Sequence, residues 1–138
     1  QALFKPEDDW LIITFPDFGW GVSNGKGEAD SLEMACDLLF TMVNNLMKEG
    51  ADLPVPRNYR SRHYRQISLS AAESAKVELY LEFRKSGLSK AELATRMGLS
   101  EITIDRLFSL RHVSRFDHME RAFLALGKRM VLTIQSAA

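Results

Sequence analysis

Four carboxylates near the start of the chain, Glu7, Asp8, Asp9 and Asp17, are of the type that holds pairs of divalent cations. Two-metal phosphodiester hydrolysis needs such groups converging on one point. Their spacing opposes it. Glu7, Asp8 and Asp9 are consecutive in a turn, so their side chains diverge, and Asp17 lies beyond Pro16, outside the preceding strand. They read as a solvated acidic loop. His63, His112 and His118 lack the spacing of metal ligands, and no serine or cysteine has an identifiable general base. The lone Cys36 excludes an internal disulfide and reads as a small buried residue in a reducing cytoplasm. No catalysis, metal or cofactor is expected.

A different chemistry is written in "LSKAELATRMGLSEITIDRLFS", Leu88 to Ser109. Ser89 with Glu92 has capping-box spacing, and Ser100 caps a following helix. Ala94 is small where two helices must cross, and Gly98 suits a turn that needs φ > 0. Leu93 and Met97 face inward with Leu99, Ile104 and Leu107. This is the pattern of a helix-turn-helix, which holds its second helix rigidly outward. The exposed face of that helix is Ser100, Glu101, Ile102, Thr103, Asp105 and Arg106. Arg106 suits either a bidentate contact to guanine or a phosphate. Glu101 and Asp105 oppose phosphate, so they read bases or make no contact. Lys90, at the start of the first helix, is a backbone-contact candidate. So are Arg111 and His112 just beyond the second, although His112 equally suits a helix end.

The rest of the chain must position these groups. Leu3–Lys5 and Trp10–Phe15 read as strands, with a short third around Val22–Ser23 after "PDFGWG". Asp30 with Glu33 approximates a capping box. It opens a helix whose apolar stripe is Leu32, Ala35, Cys36, Leu39, Met42, Val43 and Leu46, stopping at Gly50. "QISLS" (Gln66–Ser70) alternates like a returning strand, so the first domain reads β-β-β-α-β and spans residues 1–68. Residues 69–138 read as helical, with a helix opening at Ser70, stops at Gly87 and Gly98, and a last helix capped by Ser114. That last helix presents Phe116, Met119, Phe123 and Leu126 on one face, and Gly127 stops it. "MVLTIQ" then alternates like a strand with nothing in its own domain to pair with. Met130, Val131, Leu132, Thr133 and Ile134 are therefore expected to pair with the same strand of a second chain, making a homodimer. The fold class is α+β.

The net charge of zero conceals a split. Residues 1–56 carry three lysines against ten carboxylates, leaving −7, whereas residues 57–138 carry fifteen lysines and arginines against eight carboxylates, leaving +7. Four of those arginines crowd into "RNYRSRHYR", so from Ser70 onward the excess is eleven cations over eight acids, or +3. Two surfaces with different partners are implied. No apolar run approaches the roughly 20 residues of a membrane span. Charges at Lys5, Glu7, Asp8 and Asp9 do not suit a signal peptide, and with no initiator Met a few residues are expected to precede Gln1.

In their order along the chain, "DDWLIITFPDF", "DSLEMACDLLFTMVNNLMKEG", "LPVP", the helix-turn-helix and "LGKRMVLTIQ" resemble the HicB family, antitoxins of HicA–HicB toxin–antitoxin pairs. The resemblance implies a partial ribonuclease H-like N-terminal domain that binds and blocks a small basic mRNA-cleaving toxin. It also implies a C-terminal domain that represses the operon by binding operator double-stranded DNA. Asp8, Asp9 and Asp17 become candidate toxin contacts. Phe18 and Trp20 are candidate aromatic anchors, or else core residues at the strand end. The chain departs from the family in its longer, lysine-bearing "SNGKGEAD". Some members carry a ribbon-helix-helix instead, so the DNA mode rests on this chain's own residues. A ligand-responsive helix-turn-helix regulator without a toxin is the alternative.

Overall fold

A computed structural model describes residues 1–136. The chain divides into two compact units, Gln1–Ala71 and a second from Ala72 onward. The described residues form an antiparallel four-stranded sheet and five helices.

The first unit lays one long helix on that sheet. Strands β1 (Ala2–Glu7) and β2 (Trp10–Thr14) form a hairpin in which Glu7 pairs with Trp10, so Asp8 and Asp9 alone make the turn. Asp8 takes a φ of 52°, a left-handed conformation that aspartate tolerates better than most residues. Strand β3 (Ser23–Gly25) joins the other edge of β2, and helix α1 (Gly27–Glu49) follows. Strand β4 (Tyr64–Arg65) pairs with Ala2 and Leu3, giving the order β3-β2-β1-β4. On that side Phe4 donates its N–H to the His63 carbonyl at 2.8 Å. Pro6 faces the same way two residues on, where β4 has ended and no donor is needed. Ala2, Phe4, Ile13, Phe15, Ala35, Met42 and Ile67 make the core. Each large apolar side chain among them is worth roughly 1.5–3 kcal/mol of burial.

Several elements differ from expectation. The third strand is Ser23–Gly25, and Val22 stands outside it, exposed. α1 begins one turn earlier than Asp30. Its N-cap is Lys26, and the Asp30 carboxylate reaches back to accept the Lys26 N–H at 2.6 Å. The buried stripe of α1 is therefore rotated: Ser31, Ala35, Met42, Val43 and Met47 face in, while Leu32 and Cys36 are exposed. Cys36 is thus a surface thiol, not a core residue. The returning strand lies at Tyr64–Arg65 rather than within Gln66–Ser70, although Ile67 still enters the core.

The second unit contains α2 (Ala71–Ser86), α3 (Lys90–Met97), α4 (Glu101–Leu107) and α5 (Phe116–Ala125). Leu79, Tyr80 and Phe83 of α2 are buried, and the Phe108 ring meets those of Tyr80 and Phe83 at 5.8 and 4.7 Å. α5 is capped from Arg115, not Ser114. The Asp117 carboxylate in its first turn accepts from Arg115 Nε and Nη2 at 2.9 and 3.0 Å. Met119 and Phe123 are buried as expected, joined by Ala122, whereas Phe116 is exposed and Leu126 half-buried.

In the single chain, residues 128–136 have no regular secondary structure. The start of this tail is fixed. The Lys128 N–H donates to the Phe123 carbonyl at 2.8 Å, and its ammonium meets Glu82 at 3.2 Å. Beyond it Val131, Leu132 and Ile134 are exposed.

Candidate functional site

In the second unit, α3 and α4 are held as local chemistry dictates. The Ser89 hydroxyl accepts the Glu92 N–H at 3.1 Å, and the Glu92 carboxylate accepts the Ser89 N–H at 2.7 Å, which lowers the Glu92 pKa. Gly98 takes φ 64°, ψ 36°, and its N–H closes onto the Thr95 carbonyl. A Cβ there would meet no atom within 4 Å, so the glycine is required by its dihedral and not by crowding. The Ser100 hydroxyl then caps α4 by accepting the Thr103 N–H at 3.3 Å. Leu93, Ala94, Met97, Ile104 and Leu107 are buried, and Leu99 is half-buried.

This packing turns one face of α4 outward. Ser100, Glu101, Ile102, Asp105 and Arg106 are exposed, Ile102 to 64%, and Thr103 is half-buried. Lys90 and Asp105 do not stand apart. Lys90 Nζ meets Asp105 Oδ1 at 2.6 Å, tying the start of α3 to α4 and neutralising that carboxylate. Arg106 and Glu101 are both exposed, and so are Arg111 and His112 just beyond the helix. The Thr103 and Ile104 N–H groups are both satisfied by Ser100.

Cations at the ends of these helices were not foreseen in the sequence. Arg121 of α5 donates to the Met97 carbonyl at the end of α3 at 2.5 Å, and Arg96 of α3 reaches the Ala125 carbonyl at the end of α5 at 3.4 Å. Lys76 of α2 closes the end of α4, donating to the Arg106 carbonyl at 3.0 Å, the Ser109 carbonyl at 2.7 Å and the His112 carbonyl. A cation there complements the negative end of the helix dipole. Lys76 was detectable in principle: with Leu79, Tyr80 and Phe83 it follows helical spacing, which places a lysine on an apolar stripe.

In the first unit, Asp8 and Asp9 are exposed at the hairpin tip. Asp17 is not. Its side chain is 8% exposed and accepts from Arg57 Nε at 2.9 Å, the Arg57 N–H at 3.3 Å and the Tyr59 hydroxyl at 2.8 Å. Burial alone raises its pKa, but these hydrogen bonds outweigh it and leave the carboxyl below its usual 3.8. Tyr59 in turn stacks on Tyr64 with centroids 4.6 Å apart. Asp17 thus anchors the extended connection to the sheet. Asp17→Asn is expected to lower the melting temperature of this unit by about 5 °C at neutral pH. A depressed folded-state pKa gives stability above about 3.8 that is lost as pH falls through the folded value. The gap between wild type and Asp17→Asn should therefore close in acid; equal melting at pH 7 would show that the anchor contributes nothing.

Phe18 packs against the core edge-to-face with Phe15 at 6.0 Å, and Trp20 stands on Phe18 at 6.5 Å. Trp20 is 46% exposed, and so, at 45%, is Trp10, which sequence reading passed over. Among the described residues no group of three or more His, Cys, Asp or Glu is placed to hold a metal ion, and no helix is long and apolar enough to cross a membrane.

The chain thus joins an acidic sheet-and-helix unit to a helical unit whose capped helix α4 faces outward. No protein-family model matches the chain. It is 32% identical over 130 residues to Antitoxin HicB of Escherichia coli K12, covering 94% of this chain and 92% of that protein. Antitoxin HicB 1 of Photorhabdus laumondii is 30% identical over 129 residues, 94% of this chain and 81% of that protein. Antitoxin HicB of Pseudomonas fluorescens is 32% identical over 108 residues, 78% and 74% of the two chains. The chain belongs to the HicB antitoxin family.

Proposed function

We propose that residues 1–68 bind and block a small basic mRNA-cleaving toxin of the HicA type. Residues 69–138 repress the chain's own operon by laying α4 in the major groove of operator DNA. The chain acts as a homodimer, by binding and without a catalytic step, on partners met in the cytoplasm. Family membership supports the toxin reading, and the charge split explains how the two partners are kept apart. Residues 1–68 carry ten carboxylates against seven lysines and arginines, and this −3 favours a basic toxin on the first unit over phosphate. Trp20 offers a half-exposed anchor on Phe18 beyond one end of β2, and Asp8 and Asp9 offer exposed charges at the other.

The observation that carries the DNA reading is the capped, outward face of α4. In a helix-turn-helix the N-terminal residues of the second helix reach base edges. Ser100, Glu101, Ile102 and Thr103 hold those places. Ile102 suits a thymine methyl and Glu101 a cytosine amino group. The Lys90–Asp105 pair fixes α3 on α4, and Arg111 and His112 lie where phosphates would pass. Arg106→Ala is expected to lose about 1–3 kcal/mol of operator affinity if the guanidinium reads a base, or to weaken all sequences alike with a shallower salt slope if it grips phosphate. Fluorescence anisotropy on the DNA upstream of the gene decides this; affinity unchanged by Arg106→Ala combined with Glu101→Ala would remove the reading face. Co-expression with the product of a short basic reading frame beside the gene tests the other half. A stable complex and restored growth are expected, and their absence would remove the toxin partner.

A further inference from the structure

We propose that Lys76 is the positioning residue of the recognition helix: its ammonium clamps the end of α4 and the loop behind it, and so aims the face that reads DNA. The proposal rests on the DNA-binding reading of α4. The helix has seven residues, about two turns, too few to be stable alone in water. Its geometry must be imposed from both ends. Ser100 fixes the start. At the other end, Lys76 gathers the carbonyls of Arg106, Ser109 and His112 onto one nitrogen. These carbonyls belong to the last turn of α4, the residue after its C-cap, and the loop that carries Arg111 and His112. One side chain of α2 therefore sets the spacing between Arg106 on the helix and the two candidate phosphate contacts beyond it.

The side chain is committed to this task. Lys76 is 4% exposed. A buried ammonium is costly unless fully hydrogen-bonded, and three carbonyl acceptors match its three donors. Burial lowers its pKa to about 8, which leaves it charged at neutral pH. An apolar residue on this stripe would fill the volume without that cost, but it would leave the end of α4 untethered.

The test is a double-mutant cycle in the full chain, on DNA from upstream of its own gene. Lys76→Met keeps the stem and removes the donors. It should weaken binding about tenfold, and Arg106→Ala should cost clearly less in the Lys76→Met background than in wild type, because the two substitutions act on one arrangement. A lysine that only stabilises the fold leaves the Arg106→Ala factor the same in both backgrounds, and that result would overturn the proposal. Hydrogen exchange gives a readout independent of DNA. Amides of residues 108–112 should exchange at least about tenfold faster in Lys76→Met, with α3 unchanged; equal exchange also overturns it. Should wild type fail to bind this DNA, the repressor reading falls, and the exchange rates still decide whether Lys76 is a clamp. If Lys76→Met does not fold, Lys76→Gln, which keeps two donors and loses the charge, is taken through the same measurements with the same expectations.

Discussion

Gly25→Ala is expected to unfold the first unit and abolish toxin neutralisation while leaving the second unit folded. Gly25 is buried in β3, where the strand crosses the start of α1. A Cβ there would lie 2.5 Å from Ser31 Cα and 2.6 Å from Ser31 N. Both are backbone atoms of a fully buried residue, so no rotamer change relieves the clash. Ser31 itself is tied down, its hydroxyl donating to the Gly27 carbonyl at 2.6 Å. Only separation of strand from helix can make room. Overpacking that side chains can absorb costs about 1–3 kcal/mol, and a backbone-on-backbone clash costs more. A unit of this size is stable by only about 4–10 kcal/mol. Circular dichroism of the full chain should show loss of the first unit's transition, with operator binding retained and toxin no longer held. A variant that melts like wild type would mean that β3 does not pack on α1 as described.

Deleting residues 129–138 is expected to give monomers that bind toxin but lose about a hundredfold or more in operator affinity. The cut falls just after Lys128, whose bonds to Phe123 and Glu82 are preserved, so the helices should keep their packing. What is removed is a segment with Val131, Leu132 and Ile134 exposed to 76, 68 and 83%. Such a row of apolar side chains beside unpaired backbone groups is adhesive. Pairing with its copy across a two-fold axis, as proposed, would satisfy both needs. Two α4 helices would then lie about 34 Å apart, one turn of DNA, as a palindromic operator requires. Losing the second grip forfeits an avidity on the order of 10²–10⁴. Sedimentation and anisotropy measure the two effects. A truncated chain that stays dimeric and still represses would place the dimer elsewhere, in the helices of the second unit.

What the sequence determined by itself was the local chemistry. The capping box of Ser89 and Glu92, the Ser100 cap and the left-handed turn at Gly98 each involve partners within one helical turn. The apolar spacing of α3 and α4 likewise announces its buried face, because a short helix with one stripe has one way to turn. Strands β1 and β2 could be read for the same reason, their residue types being a local signal, but Glu7, read as part of the turn, belongs to β1 and pairs with Trp10. Where the signal was local but degenerate, it failed: α1 carries apolar residues around much of its surface, and the rotation that buries Ser31 instead of Leu32 follows from Gly25 crossing it. Tertiary structure alone decided the distant pairings. Asp17 is taken up by Arg57 and Tyr59, 40 and 42 residues away, and so leaves the exposed acidic set. β4 forms at Tyr64–Arg65 because Phe4 meets the carbonyl of His63 there, which no periodicity in "RNYRSRHYR" encodes. Lys76 becomes the end of α4 from 30 to 36 residues upstream. A charge in an apolar stripe announces that it must be satisfied, but which carbonyls satisfy it depends on where the chain brings them.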